Sequence, residues 1–198
     1  MEIIQKTIQP FGDASILLAH SPILDRFDRT FTYLRLALNE QCNLRCIYCM
    51  PEEGIDFRSE DKLLSTEEIF KLIELTSQMG VSKIRFTGGE PLLRKDLTEL
   101  VHFAHQCNGI ESVHLTTNGL LLSKQIDTLQ KAGLSGINIS LDTLDSDKFK
   151  KITRRDGLDL VLNSLQTSID SSIQSIKLNV VAMRDFNDDE LMDFVALT

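Results

Sequence analysis

Five short runs of this chain alternate apolar and polar residues with a period of two. In residues 32–38, Leu34, Leu36 and Leu38 share one parity, while Tyr33, Arg35 and Ala37 share the other. The same holds for Ile84 and Phe86 against Arg85 and Thr87, and for Val113 and Leu115 against His114 and Thr116. Ile137, Ile139 and Leu141 oppose Asn138, Ser140 and Asp142; Ile176, Leu178 and Val180 oppose Lys177, Asn179 and Val181. Period two puts the two sets on opposite faces of a strand. The pattern therefore predicts strands over 32–38, 83–87, 112–116, 136–141 and 175–183. Helical runs lie between them at 65–80, 95–107 and 123–132, in a broken stretch over 146–168, and from 188 onward. Ser65 with Glu68 forms a capping-box pattern, and Gly80 and Gly133 follow helices as C-terminal stops.

Strand and helix in strict alternation predict parallel pairing with right-handed crossovers, as an open doubly wound sheet or as a barrel. An antiparallel sheet with one solvated face would share the alternation but not the intervening helices. Parallel strands buried on both faces read as unbroken apolar runs, and these do not. The apolar face must meet the helices. The polar face, with Arg35, Arg85, His114, Thr116, Ser140 and Lys177, must line something wet or a polar ligand, which in a barrel is the lumen.

Composition narrows the class. The chain has 198 residues, 42% hydrophobic and 25% charged, which suits one globular domain. Its 21 Lys and Arg against 29 Asp and Glu give a net charge of −8, a poor basis for binding nucleic acid. No apolar run approaches the roughly 20 residues of a membrane span. Residues 14–19 lack the flanks of a signal peptide, so the expected location is the cytoplasm, without membrane association. Residues 1–24 read as a leader and 25–198 as the folded core.

Three of the four cysteines, Cys42, Cys46 and Cys49, form C-x3-C-x2-C directly after the first strand. On a βα barrel that is the rim where active sites are built. Three thiolates with no adjacent fourth ligand can hold a 4Fe–4S cluster and leave one iron open to an outside ligand. The alternatives are a zinc site with a distant fourth ligand, or cysteines grouped by chance. A second loop, Thr87-Gly88-Gly89-Glu90-Pro91, follows the second strand. Its glycines allow close backbone approach, and Glu90 offers a carboxylate to an ammonium group.

Cys42 to Cys49, with Tyr48 before the last cysteine, together with Gly88-Gly89-Glu90-Pro91, resembles the signature of the radical S-adenosylmethionine (radical SAM) superfamily. Further motifs resemble the GTP 3′,8-cyclase family of molybdenum cofactor biosynthesis. They are Phe27-Asp28-Arg29, Tyr33-Leu34-Arg35, Lys83-Ile84-Arg85, Thr116-Thr117-Asn118-Gly119, Asn138-Ile139-Ser140-Leu141-Asp142 and Lys177-Leu178-Asn179. The resemblance implies a partial TIM-like α/β barrel. It implies that Cys42, Cys46 and Cys49 hold a 4Fe–4S cluster, that Tyr48, Gly89 and Ser140 contact S-adenosylmethionine (SAM), and that Arg35, Arg85, Thr116 and Lys177 contact GTP. The implied reaction is reductive cleavage of SAM to a 5′-deoxyadenosyl radical. This takes the 3′-hydrogen of GTP, and the ribose carbon then joins C8 of guanine.

The family is longer than this chain and carries a second 4Fe–4S cluster on a C-terminal cysteine triplet. That triplet is missing here; the fourth cysteine, Cys107, lies on a helical run with His102 and His105. The expectation is therefore the front part of an enzyme, inactive alone on GTP, needing a one-electron donor, with unpaired strand edges that invite a homodimer. Residues 153–156 depart from the family, which often has a small residue near Arg154, and residues 1–24 have no family counterpart. The competing functions are another radical SAM enzyme of the peptide-modifying type and a non-catalytic zinc module.

Overall fold

The structure, a computed structural model, describes residues 22–59 and 62–197. The expected leader over 1–24 thus lies outside the described residues except for 22–24, where the Ile23 amide donates to the Met79 carbonyl. Among the described residues, five strands form one sheet in sequence order: β1 (Tyr33–Ala37), β2 (Lys83–Thr87), β3 (Ser112–Thr117), β4 (Gly136–Ser140) and β5 (Ser175–Asn179). Every pairing is parallel, which removes the antiparallel alternative. The helices are α1 (Thr66–Gln78), α2 (Leu97–Gln106), α3 (Leu122–Lys131), α4 (Ser146–Thr153), α5 (Leu158–Ile169) and α6 (Leu191–Ala196). This is part of a TIM-like barrel wall.

Alternation predicts the two faces correctly. Ile84, Phe86, Val113, Leu115, Ile137 and Ile139 are fully buried in one core with Ile73, Leu100, Leu122, Leu129 and Val161 of the helices. Removing such groups from water stabilises the fold by about 1.5–3 kcal/mol per side chain. Phe70 of α1 stacks on Phe103 of α2 at 4.0 Å. Ser65 and Glu68 complete the expected capping box at 3.2 and 2.8 Å.

Beyond shifts of one or two residues at element ends, two boundaries differ from the sequence pattern. β5 ends at Asn179 rather than at 183, because beyond it the Val181 amide donates to Asp142 Oδ1 at 2.8 Å instead of continuing the ladder. The broken helical stretch resolves into α4 and α5, parted by Arg154 in the left-handed region (φ 56°) and Gly157 (φ 140°).

Register arranges the polar face in rows. Arg35 stands beside Arg85, Arg85 beside His114, and His114 beside Gly136. One step nearer the strand ends, Thr116 stands beside Asn138 and Asn138 beside Lys177.

Candidate active site at the strand ends

The loops after the first four strands meet at one end of the sheet. The 88–90 turn packs against the start of the cysteine loop: Gly89 N donates to Asn39 O at 2.9 Å and Glu90 N to Gln41 O at 2.7 Å. A Cβ on Gly89 would collide with the carbonyls of Glu40 and Gln41. The glycine is therefore required by loop against loop, independently of any ligand. Asn39 Nδ2 closes the contact on Glu90 O at 2.9 Å.

The Glu90 side chain is fully buried, and protein donors take it up. Oε1 accepts from Leu92 N at 3.0 Å and Thr117 Oγ1 at 2.7 Å, and Oε2 from Asn118 N at 2.8 Å. In the structure the carboxylate thus turns to protein donors, where the sequence offered it to a ligand's ammonium group. Burial raises its pKa, against the opposing pull of those three bonds. Glu90 fixes Asn118, whose Nδ2 donates to Asn43 Oδ1 at 2.7 Å and approaches Cys42 Sγ at 3.8 Å.

The end of α4 supports the cysteine loop. Arg45 N donates to Thr153 O at 2.9 Å and Ile47 N to Ile152 O at 2.8 Å. Arg154 Nη1 donates to Arg45 O at 3.0 Å and Met50 O at 3.1 Å. Sequence spacing gives no sign of these contacts, which span about a hundred residues. Arg155, its neighbour, is exposed.

All three thiols are free, Cys42 and Cys46 half-buried and Cys49 exposed. Burial raises the Cys42 pKa and, with the charges of Cys42 and Cys49, pushes Cys46 up to about 11. Among the described residues, no three His, Cys, Asp or Glu side chains converge closely enough to share one metal ion. A zinc ion needs four ligands drawn to a point. A cubane cluster takes each thiolate on a different iron, so three soft thiols along one fixed loop, each within reach of the others' charge, fit that group.

Tyr48 donates from its hydroxyl to Asp142 Oδ2 at 2.6 Å; burial first, then that bond, raises its pKa. Cys46, Tyr48, Asn118, Ser140 and Asp142 line one small cleft. Gly89 lies outside it. A larger cleft of about 360 Å³ between the starts of α1 and α2, lined by Asn39, Thr66, Arg94 and Asp96 among others, contains none of the expected site residues.

The inner strand positions carry Arg35, Lys83, Arg85 and Lys177 but no acid. Arg35 and Lys177 are exposed on the edge strands; Arg85 is buried. Arg85 donates through Nε to Tyr33 OH at 2.6 Å and through Nη1 to Thr116 Oγ1 at 3.3 Å. No carboxylate among the described residues forms an ion pair with it. Desolvation, helped by Lys83, Arg85 and Lys177, depresses the His114 pKa to about 4. Lys83 and His114 were not among the predicted contacts, although His114 was legible in the alternation.

The profile of the radical SAM superfamily matches residues 37–198. This chain belongs to the radical SAM superfamily. Membership implies a 4Fe–4S cluster and SAM. The chain is 48% identical to molybdenum cofactor biosynthesis protein 1 of Dictyostelium discoideum over 98% of its own length and 30% of the relative's. It is 46% identical to GTP 3′,8-cyclase of Clostridium botulinum over 89% of its length and 55% of the relative's. Against the Drosophila melanogaster molybdenum cofactor biosynthesis protein 1, 45% identity covers all of this chain, residues 1–24 included, where no counterpart was expected. The chain thus spans between about a third and about half of the curated relatives it matches. Streptococcus suis SuiB bound to its precursor peptide superposes with a TM-score of 0.65 at 20% identity, over 82% of this chain and 36% of that one. TYW1 with a lysine-pyruvate adduct gives 0.61 at 20% identity, over 81% and 58%. These likenesses concern the radical SAM fold. No helix among the described residues is long and apolar enough to cross a membrane.

Proposed function

We propose that this chain carries the SAM-binding and triphosphate-binding part of a GTP 3′,8-cyclase, acting in the cytoplasm. When bound, the cluster supplies the electron that opens SAM. The chain's own residues do the placing. Cys42, Cys46 and Cys49 hold the cluster, Tyr48 and Ser140 line the neighbouring cleft for SAM, and Gly89 contacts SAM from the turn packed against the start of the cysteine loop. Arg35, Arg85, Thr116 and Lys177 receive the nucleotide, with Lys83 adding charge to the same face.

The observation that carries this reading is Arg85. A buried guanidinium normally has a carboxylate partner. Arg85 is 6% exposed and has only neutral partners, Tyr33, Thr116, His114 and the Leu115 carbonyl. Its charge awaits an anion, and a triphosphate brings several to a face whose strand positions hold four cations and, among the described residues, no acid. A peptide-modifying enzyme has no need of that arrangement. A one-electron donor is the partner. The guanine end belongs to a second cluster in the length of the relatives this chain does not span. The residues of this chain account for the binding of GTP, and the outer edges of β1 and β5, unpaired among the described residues, support pairing with a second copy.

Anaerobic equilibrium dialysis of the iron-loaded chain against GTP, GDP and guanosine tests this. Affinity falls with each phosphate removed, and Arg85→Ala weakens GTP by about tenfold or more while iron content is unchanged. Equal affinity for guanosine and GTP, or an Arg85→Ala chain that binds GTP as the parent does, overturns it.

A further inference from the structure

The cysteine loop takes its shape from a helix end a hundred residues away, and one side chain there is out of the ordinary. Arg154 is a non-glycine residue in the left-handed region, at φ 56° and ψ 23°. That conformation is strained for any residue with a Cβ, and a glycine or asparagine would take it more readily. The side chain explains the arginine. A single nitrogen, Nη1, donates to both Arg45 O (3.0 Å) and Met50 O (3.1 Å), so it bridges the two ends of the segment that contains Cys46 and Cys49. Between those carbonyls the loop closes on itself, with Cys49 N and Met50 N both donating to Cys46 O. The α4 carbonyls of Ile152 and Thr153 hold Ile47 N and Arg45 N from the same side. The helix turn is in turn locked by Thr153 Oγ1, whose single proton is shared between Phe149 O at 2.8 Å and Arg155 O at 2.9 Å. Glu52, at 3.8 Å from Arg154 Nε and largely exposed, is the only acid paired with the guanidinium among the described residues. The clasp is therefore made on backbone carbonyls, and it fixes loop geometry.

We propose that Arg154 is a positioning residue for the cluster: its guanidinium clasps the carbonyls of Arg45 and Met50 and so presets the spacing of Cys46 and Cys49 before iron arrives. This rests on the cysteine loop carrying a cluster, and not on the identity of the substrate. A preset loop loses less freedom on binding, so the clasp shows as cluster retention more than as global stability.

The test compares the full chain with Arg154→Gly and Arg154→Asn, which keep residues tolerant of the left-handed backbone and remove the clasp. Three quantities are read: thermal midpoint of the metal-free protein, hydrogen exchange of the metal-free 45–50 segment, and iron per chain after anaerobic reconstitution and desalting. Both variants keep the parental midpoint or exceed it, exchange the 45–50 amides about tenfold faster, and retain less than half the parental iron. Parental exchange and parental iron in both variants overturn the assignment. A midpoint that falls in step with the iron loss also overturns it, because Arg154 is then a general stabiliser. A parental chain that takes up no iron removes the cluster reading and this proposal with it, whereas failure of GTP binding alone touches neither.

Discussion

The His114 ring lies over the backbone of Gly136, on the adjacent strand, in the space a Cβ at position 136 would need. Arg85 Nη2 lies 3.4 Å from His114 Nδ1, which sets Nδ1 as the acceptor and Nε2 as the protonated nitrogen. A glycine inside β4 thus makes room for an imidazole among cations, on the face assigned to the nucleotide.

Gly136→Ala forces the ring to move. In an ordinary strand position the alanine would be favourable. Here we expect a loss of about 1–3 kcal/mol by denaturant unfolding, the usual cost of overfilling a packed site. In a His114→Ala background the cost falls below about 0.5 kcal/mol. Equal costs in both backgrounds would show that the two residues are not in contact.

His114 also links stability to pH. Its folded pKa, about 4, lies below the ordinary 6.5 because burial and then Lys83, Arg85 and Lys177 disfavour a further charge. Between those values the unfolded chain holds more protons, so stability is complete above about pH 6.5 and declines as pH falls toward 4. The decline amounts to at most about 3 kcal/mol. Unfolding curves across this window should flatten in His114→Gln, and an unchanged slope would rule the histidine out as the source.

Glu90→Gln exposes a different weakness. The amide keeps one acceptor for Leu92 N and Thr117 Oγ1 but turns a donor toward Asn118 N. A loss of about 1–3 kcal/mol follows from the unsatisfied buried pair. Since Asn118 faces Cys42, slower iron uptake should accompany it, measured as the rate of colour development on reconstitution.

Asp142 joins the loop to the sheet edge, accepting from Tyr48 OH at 2.6 Å and from Val181 N at 2.8 Å. Tyr48→Phe removes one bond and costs about 1 kcal/mol; Asp142→Ala removes both and costs about 2–3 kcal/mol. In a double-mutant cycle the pair should couple by about 1 kcal/mol. Strict additivity would place the tyrosine elsewhere.

The faces of the sheet were legible because parity is a local property: Leu34 and Leu36, or Ile137 and Ile139, reveal the buried side without knowledge of their neighbours. The strand–helix alternation gave the parallel order for the same reason. The cysteine triplet was legible from spacing within eight residues. Glu90 was not, because a carboxylate in a glycine-rich turn looks ligand-facing until the donors from Thr117 and Asn118 are seen. Arg154 was not, because its partners at 45 and 50 are distant in sequence and backbone carbonyls leave no trace in it. The end of β5 was set by a side chain from another strand's loop, Asp142, which overrode the apolar run that continues through Val180 and Val181.

On the function proposed here, the Cys42–Cys49 loop holds an open-site iron–sulfur cluster above a cationic sheet face. Anaerobic reconstitution with iron and sulfide, followed by metal and sulfide counting and electron paramagnetic resonance with and without SAM, tests it most directly. We expect about four irons and four sulfides per chain, a reduced-cluster signal that shifts when SAM is added, and loss of both when Cys42, Cys46 or Cys49 is changed to Ser. One zinc per chain with no iron uptake, or a cluster that persists without those cysteines, would contradict it.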